Sequence, residues 1–125
     1  RLKLPTTHEW CPDEDTGDNQ PVTIADAKDL SAGRSVESLK LDTAFSVADP
    51  IIEMSWPTHS VTMESDAIFS HATIYVPPGE DYFCAEPISH APNAVNSGLP
   101  EAVTGRRGLA PGETLAGKIK LSVER

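Results

Sequence analysis

Basic residues are scarce in this 125-residue chain: ten Lys and Arg stand against nineteen Asp and Glu, for a formal net charge of −9 with histidine neutral. A surface of that sign neither displaces counterions from nucleic acid nor meets anionic head groups, so neither nucleic acid nor a membrane is an expected partner. No run approaches the roughly 20 apolar residues that a helix needs to span a bilayer. No signal-peptide pattern is seen, and a cytoplasmic protein is expected. The two cysteines, Cys11 and Cys84, lie far apart and form no CxxC or other metal-ligand spacing, which argues against a disulfide framework. Cys84, next to Phe83, reads as a buried inert thiol, and Cys11 as a loop residue.

Several catalytic signatures are also missing. Neither GxxxxGK[ST] nor GxGxxG is present, so nucleotide hydrolysis and dinucleotide chemistry have no support, and without GxSxG a serine hydrolase is disfavoured. His8, His59, His71 and His90 fall into no HxxxH or HxH pattern, and the acidic residues Asp13, Glu14, Asp15 and Asp18 lack the sixth-position glycine and the distal glutamate of a calcium loop. No metal and no cofactor is expected. His71 reads as a core or rim histidine, His59 as a hairpin-turn residue, and Arg106-Arg107 as a solvated loop.

What is present is a series of short apolar runs separated by turn residues: Val36–Leu41, Ile51–Trp56, Ser60–Glu64, Ile68–Val76, Asp81–Glu86 and Leu115–Glu124. Such spacing predicts antiparallel strands, and the connections are too short and too proline-rich for crossover helices. Lys118–Glu124 alternates polar and apolar residues, so its strand has one wet face. Pro12–Ser35 reads as a long surface connection, with a short helix over Ile24–Leu30 behind Thr23 as N-cap. The fold class is all-β, an antiparallel β-sandwich or part of one. The chain opens at Arg1 on the alternating Arg1-Leu2-Lys3-Leu4, which reads as a strand cut from something larger, so residues 1–125 are either a single sandwich domain or a fragment.

Among candidate site residues, Glu86 is placed at the end of an apolar strand and followed by Pro87, which disfavours helical backbone at Glu86 and fixes the carboxylate's direction. A positioned carboxylate beside the polar loop Ser89–Asn96 suits proton abstraction; the plainer reading is a solvated strand end. Asp42, between apolar positions at the end of a predicted strand, would accept hydroxyl hydrogen bonds, and two such carboxylates frame a sugar-sized pocket. His90, four residues beyond Glu86, would touch a ligand if its loop folds back over the same pocket.

Val76-Pro77-Pro78-Gly79, Phe83-Cys84-Ala85-Glu86-Pro87-Ile88-Ser89-His90, Asn93-Ala94-Val95-Asn96 and Leu109-Ala110-Pro111-Gly112-Glu113 resemble the C-terminal half of the aldose 1-epimerase, or galactose mutarotase-like, family. Leu41-Asp42-Thr43-Ala44-Phe45 extends the resemblance, and Trp10–Asp15 does so more loosely. The resemblance implies a C-terminal portion of a large twisted β-sandwich, the mutarotase supersandwich, that binds a monosaccharide or sugar derivative and interconverts its anomers without a cofactor. It further implies Glu86 as the base at the anomeric hydroxyl and Asp42 as a substrate-holding residue. The family's acid histidines come from its N-terminal half, and none of the four histidines here occupies their motif positions. Thr43-Ala44 replaces bulkier or polar residues common after the aspartate. Base and substrate contact are therefore present without the acid. The missing N-terminal half or a second chain is an expected partner, and the chain by itself is expected to be inactive. A non-catalytic sugar-binding module on the same fold and a structural sandwich are the rival readings.

Overall fold

Short alternating segments can bury only one face each, and here they do so by stacking two sheets. The computed structural model describes all 125 residues. Its strands are β1 (Leu2–Lys3), β2 (Thr6–Pro12), β3 (Asn19–Val22), β4 (Asp42–Val47), β5 (Ile51–Ser55), β6 (Ser60–Ser65), β7 (His71–Tyr75), β8 (Cys84–Ile88) and β9 (Ile119–Glu124), with one helical turn, α1 (Glu101–Thr104). Every pairing is antiparallel. One sheet runs β1-β5-β6-β9 and the other β3-β2-β4-β7-β8. The chain is an all-β antiparallel sandwich.

The core lies between the sheets. Phe45 of β4 and Ala72 and Ile74 of β7 pack from one side, Leu2 and Ile52 from the other, with Leu4, Leu30, Leu39 and Leu41 closing the ends. Alternation then decides where everything else points: if Phe45 and Ile74 face inward, Ala44, Ser46, Thr73 and Tyr75 must face outward. The outer face of the four-stranded sheet is polar by the same logic. It carries ion pairs from Lys3 to Glu53 and from Lys120 to Glu64.

The structure corrects several expectations. Val36–Leu41 is not a strand: Val36–Ser38 is a 3₁₀ turn, and Val36, Leu39 and Leu41 drop into the core from irregular backbone. Asp42 therefore begins a strand rather than ending one. The Pro12–Ser35 connection contains β3, paired with β2, and Ile24–Leu30 holds only the 3₁₀ turn Asp26–Lys28. Cys11 lies in β2, not in a loop. Cys84 is half-buried and begins β8. Glu86 sits in the middle of β8, and Pro87 is tolerated within it because β8 is an edge strand, where a missing N–H is best accommodated. β7 and β9 both begin later than their apolar runs, at His71 and Ile119.

Candidate functional site

Register brings the two candidate carboxylates to one side of the five-stranded sheet. Asp42 opposes Tyr75, which opposes Cys84; Thr73 opposes Glu86, with Ala44 on its other side and Trp10 opposite Ala44. Residues two apart on a strand share a face, so Asp42, Tyr75, Thr73 and Glu86 all point outward, away from the core. Two strand spacings and one pleat repeat put the Asp42 and Glu86 backbones about 12 Å apart, leaving a gap of sugar-ring size once both side chains reach inward. Both residues are exposed. Neither enters an ion pair, those being Lys3–Glu53, Lys28–Glu9, Arg106–Glu101 and Lys120–Glu64. With Tyr75 half-buried between them, the patch combines two free acceptors with an aromatic surface.

His90 lies elsewhere. It follows β8 on the side of Glu86 away from Asp42, about 13 Å along an extended chain from Glu86, and its Nδ1 bonds the Ala91 carbonyl at 2.9 Å. The loop does not fold it back beside Glu86. It covers the other end of the sheet instead, where Ala91 packs on Trp10, Ala44 and Ile88. The Ala91 N–H donates to the Thr104 carbonyl at 2.7 Å, and Asn19 Nδ2 donates to the Pro92 carbonyl at 3.3 Å. Gly105, at φ 74°, seats the end of α1 against β8 and β7. A methyl there would run into the Ser89 carbonyl and the Ser70 hydroxyl.

Beneath this loop sits His71, opposite Ile88 on the Glu86 face and only 2% exposed. Its Nδ1 meets Ser70 Oγ at 2.8 Å, and its ring lies 5.5 Å from Trp10 at 60°, an edge-on contact. Trp10 Nε1 donates to Ser46 Oγ at 2.8 Å, which fixes the indole. His71 Nε2 makes no hydrogen bond of full geometry, although the Val103 backbone lies close enough to act on the ring. Burial pushes the imidazole below its ordinary range; the Val103 backbone opposes that shift, and nearby His90 adds a smaller push in the same direction as burial. His71 is therefore a core histidine of the kind its pattern suggested, but it lies on the outward face rather than between the sheets.

The remaining candidates are structural. Asp13 Oδ1 accepts the N–H groups of Asp15 and Thr16 at 2.9 Å each, and its Oδ2 accepts Gln20 Nε2 at 2.8 Å. These bonds hold the Asp13 carboxyl below its usual value, as turn chemistry does. No group of three His, Cys, Asp or Glu side chains is placed to share a metal ion. His59 stacks on Trp56 at the β5–β6 hairpin, with ring centroids 4.7 Å apart. A cleft of about 1100 Å³ is lined by Met54, Trp56, Val76, Phe83 and Ala85 among others. It opens between the sheets on the core side, and Glu86 does not line it. Tyr75, Thr73 and Trp10 on the Glu86 face escaped the sequence reading, because cross-strand register is set by pairing and leaves no local signal.

No protein-family model matches this sequence. Among solved structures, a galactose mutarotase-like protein from Clostridium acetobutylicum is similar over 99% of this chain, with a TM-score of 0.82 and 24% sequence identity. The chain spans 41% of that protein's length. The likeness establishes a fold of the galactose mutarotase-like kind for these residues.

Proposed function

We propose that this chain carries the sugar-holding and proton-abstracting face of an aldose 1-epimerase-like protein. The observation that supports this reading best is that Asp42 and Glu86, found separately in the sequence, share one outward face with Tyr75 between them. Asp42 accepts hydrogen bonds from ring hydroxyls, and Tyr75 offers an apolar surface to the sugar's C–H groups. Glu86 takes the proton of the anomeric hydroxyl. As that O–H electron pair becomes a carbonyl, the bond from C1 to the ring oxygen breaks and the ring oxygen takes up a proton. Rotation and reclosure from the other face give the second anomer.

Protonating the ring oxygen requires an acid that this face does not present. His71 is sealed under the loop, and His90 lies beyond the far end of the Glu86 row. In the proposed reading that acid belongs to a part of the fold outside these residues, as the resemblance to a C-terminal portion implies. The same gap favours a second reading, a sugar-binding module without catalysis.

Chemical rescue separates the two. The chain is expected to bind free hexoses by calorimetric titration yet leave the optical rotation of a freshly dissolved anomer at its buffer rate. Added imidazole, a diffusible acid, should then raise the rate above imidazole's own contribution in the wild type but not in Glu86→Gln. Equal rates for both proteins would remove Glu86 as base and leave the binding module. No titration signal with any hexose would remove both readings.

A further inference from the structure

The loop that covers His71 is nearly self-contained. Its two ends meet, since Gly105 seats against the Ser89 carbonyl and Ser70 Oγ, so residues 89–105 form a closed flap of the Ω-loop kind. Between those ends the backbone hydrogen bonds stay inside the flap, from the Ala91 N–H on the Thr104 carbonyl to the turns at Ala94–Asn96 and Glu101–Thr104. Two polar ties reach the sheet, both long: Asn19 Nδ2 donates to the Pro92 carbonyl at 3.3 Å, and Ser70 Oγ donates to the Ser89 carbonyl at 3.4 Å. The remaining attachment is apolar, Ala91 on Trp10 and Ala44. Such a segment can lift as one unit with its own bonds intact.

What lies beneath it responds to protons. A charged imidazole has two N–H groups to place. His71 Nδ1 has Ser70 Oγ at 2.8 Å, whose own proton serves the Ser89 carbonyl, but Nε2 has no bond of full geometry, and the ring is 2% exposed. The titratable and charged groups on this side of the sheet are few. β2 brings His8, across Ser46; β4 brings Asp42, at its far end; β8 brings Glu86, on the diagonal from His71 at roughly 7–8 Å; the flap brings His90 and the Glu101–Arg106 pair. Among them His90 is the one that acts on the ring, and it does so against a second positive charge.

We propose that residues 89–105 are a proton-released lid on the sugar-holding face: protonation of His71, with His90 charged beside it, lifts the flap and uncovers Trp10. The indole stands in one cross-strand row with Ala44, Thr73 and Glu86, so lifting the flap extends that face by a flat apolar surface suited to sugar C–H groups. This regulatory role rests on the reading of Asp42 and Glu86 as a sugar-holding face; the lid itself does not. The covered ring resists a proton that the uncovered ring accepts, so the ratio of open to closed flap should rise roughly tenfold for each pH unit below the ordinary 6.5, until the covered ring titrates in turn.

In a Trp56→Phe background Trp10 is the sole tryptophan, and acrylamide quenching then reads access to the indole rather than its brightness. The quenching constant should rise between pH 7.5 and 5.5 while the far-ultraviolet circular dichroism of the sheets holds, and it should stay level in His71→Gln. A constant that does not change with pH, or an equal rise in the Gln variant, overturns the lid. Should His71→Gln fail to fold, His90→Gln decides: without the neighbouring charge the rise should be smaller, and an undiminished rise overturns the pairing of the two histidines. Titration with hexoses tests the regulatory role separately. Binding that is tighter at pH 5.5 than at 7.5 in wild type, and equal at the two in His71→Gln, supports it; equal binding in wild type with quenching still rising overturns it. No hexose binding at either pH removes the sugar-holding reading and the regulatory role together, while the quenching result still decides the lid.

Discussion

The two faces of the five-stranded sheet carry opposite chemistry on the same backbone. Inward, β4 and β7 present Phe45, Ala72 and Ile74, all buried in one apolar cluster. Outward, the same strands present Asp42, Thr73, Tyr75 and His71, and β8 adds Glu86. Burying the first set fixes the direction of the second, since a slip of one residue would send the carboxylates into the core and Phe45 into water. The aim of the candidate site is thus enforced by residues that never touch it.

The largest effect should come from breaking the inward face. Phe45 is fully buried, so Phe45→Ala should cost about 3–5 kcal/mol in urea unfolding, a large share of the roughly 5–15 kcal/mol that stabilises an ordinary domain. A cost under about 1 kcal/mol would mean that the intersheet core is looser than its burial indicates. Asp42→Asn, on the exposed outer face, should change stability by no more than about 0.5 kcal/mol.

Between these extremes lies the loop that covers one end of the outer face. Gly105 combines a left-handed backbone with a seat against Ser89 and Ser70. Gly105→Ala should cost about 1–3 kcal/mol from backbone strain, with further loss from the contact. Hydrogen exchange offers the clearer view: protection should fall at Ala91, whose N–H bonds Thr104, while the amides between β4 and β7 keep theirs. Uniform loss across the sheet would show that the loop is not a separate unit.

On the outward face the expected changes are in binding. Asp42→Ala should weaken hexose affinity by roughly tenfold, and Asp42→Asn by less, because the amide keeps one carbonyl acceptor at similar size. Equal affinities for wild type and both variants would take Asp42 out of the site.

Much of this comparison was legible in the sequence. Ile51–Ser55, Ser60–Ser65, His71–Tyr75 and Ile119–Glu124 announce themselves because apolar and β-branched residues alternate between turn signals. β3 does not: Asn19-Gln20-Pro21-Val22 has no apolar rhythm and exists as a strand through its pairing with β2 at the sheet edge, where Pro21 is tolerated. Val36, Leu39 and Leu41 misled in the other direction, since an apolar residue can plug a core from irregular backbone as well as from a strand. Glu86 and Asp42 stood out individually by residue type and resemblance. Their common face depends on the β4-β7-β8 register, a tertiary property that neither local segment contains. His90 was placed by sequence proximity to Glu86, but its loop is drawn to Trp10 and Thr104 instead.

The smallest effect concerns His71, where an outward-facing residue behaves as an inward one. Burial holds its imidazole below the ordinary 6.5. Well above that pH the ring is neutral in both the folded and the unfolded chain and adds no slope to stability. As pH falls through 6.5 the unfolded chain takes up a proton that the folded chain refuses, so stability drops until the folded ring titrates in turn. The lowered carboxyls of Asp13 and Asp29 act in the same sense, but only as pH approaches and passes below their ordinary 3.8, which separates the two windows. Urea midpoints should therefore fall between pH 7.5 and 5.5 in the wild type and fall less in His71→Gln, which carries no titrating ring. The loop should loosen over the same interval, because a charged imidazole buried beneath it and beside His90 is the state it excludes. An undiminished slope in the Gln variant would assign the transition to another histidine and leave His71 as packing alone.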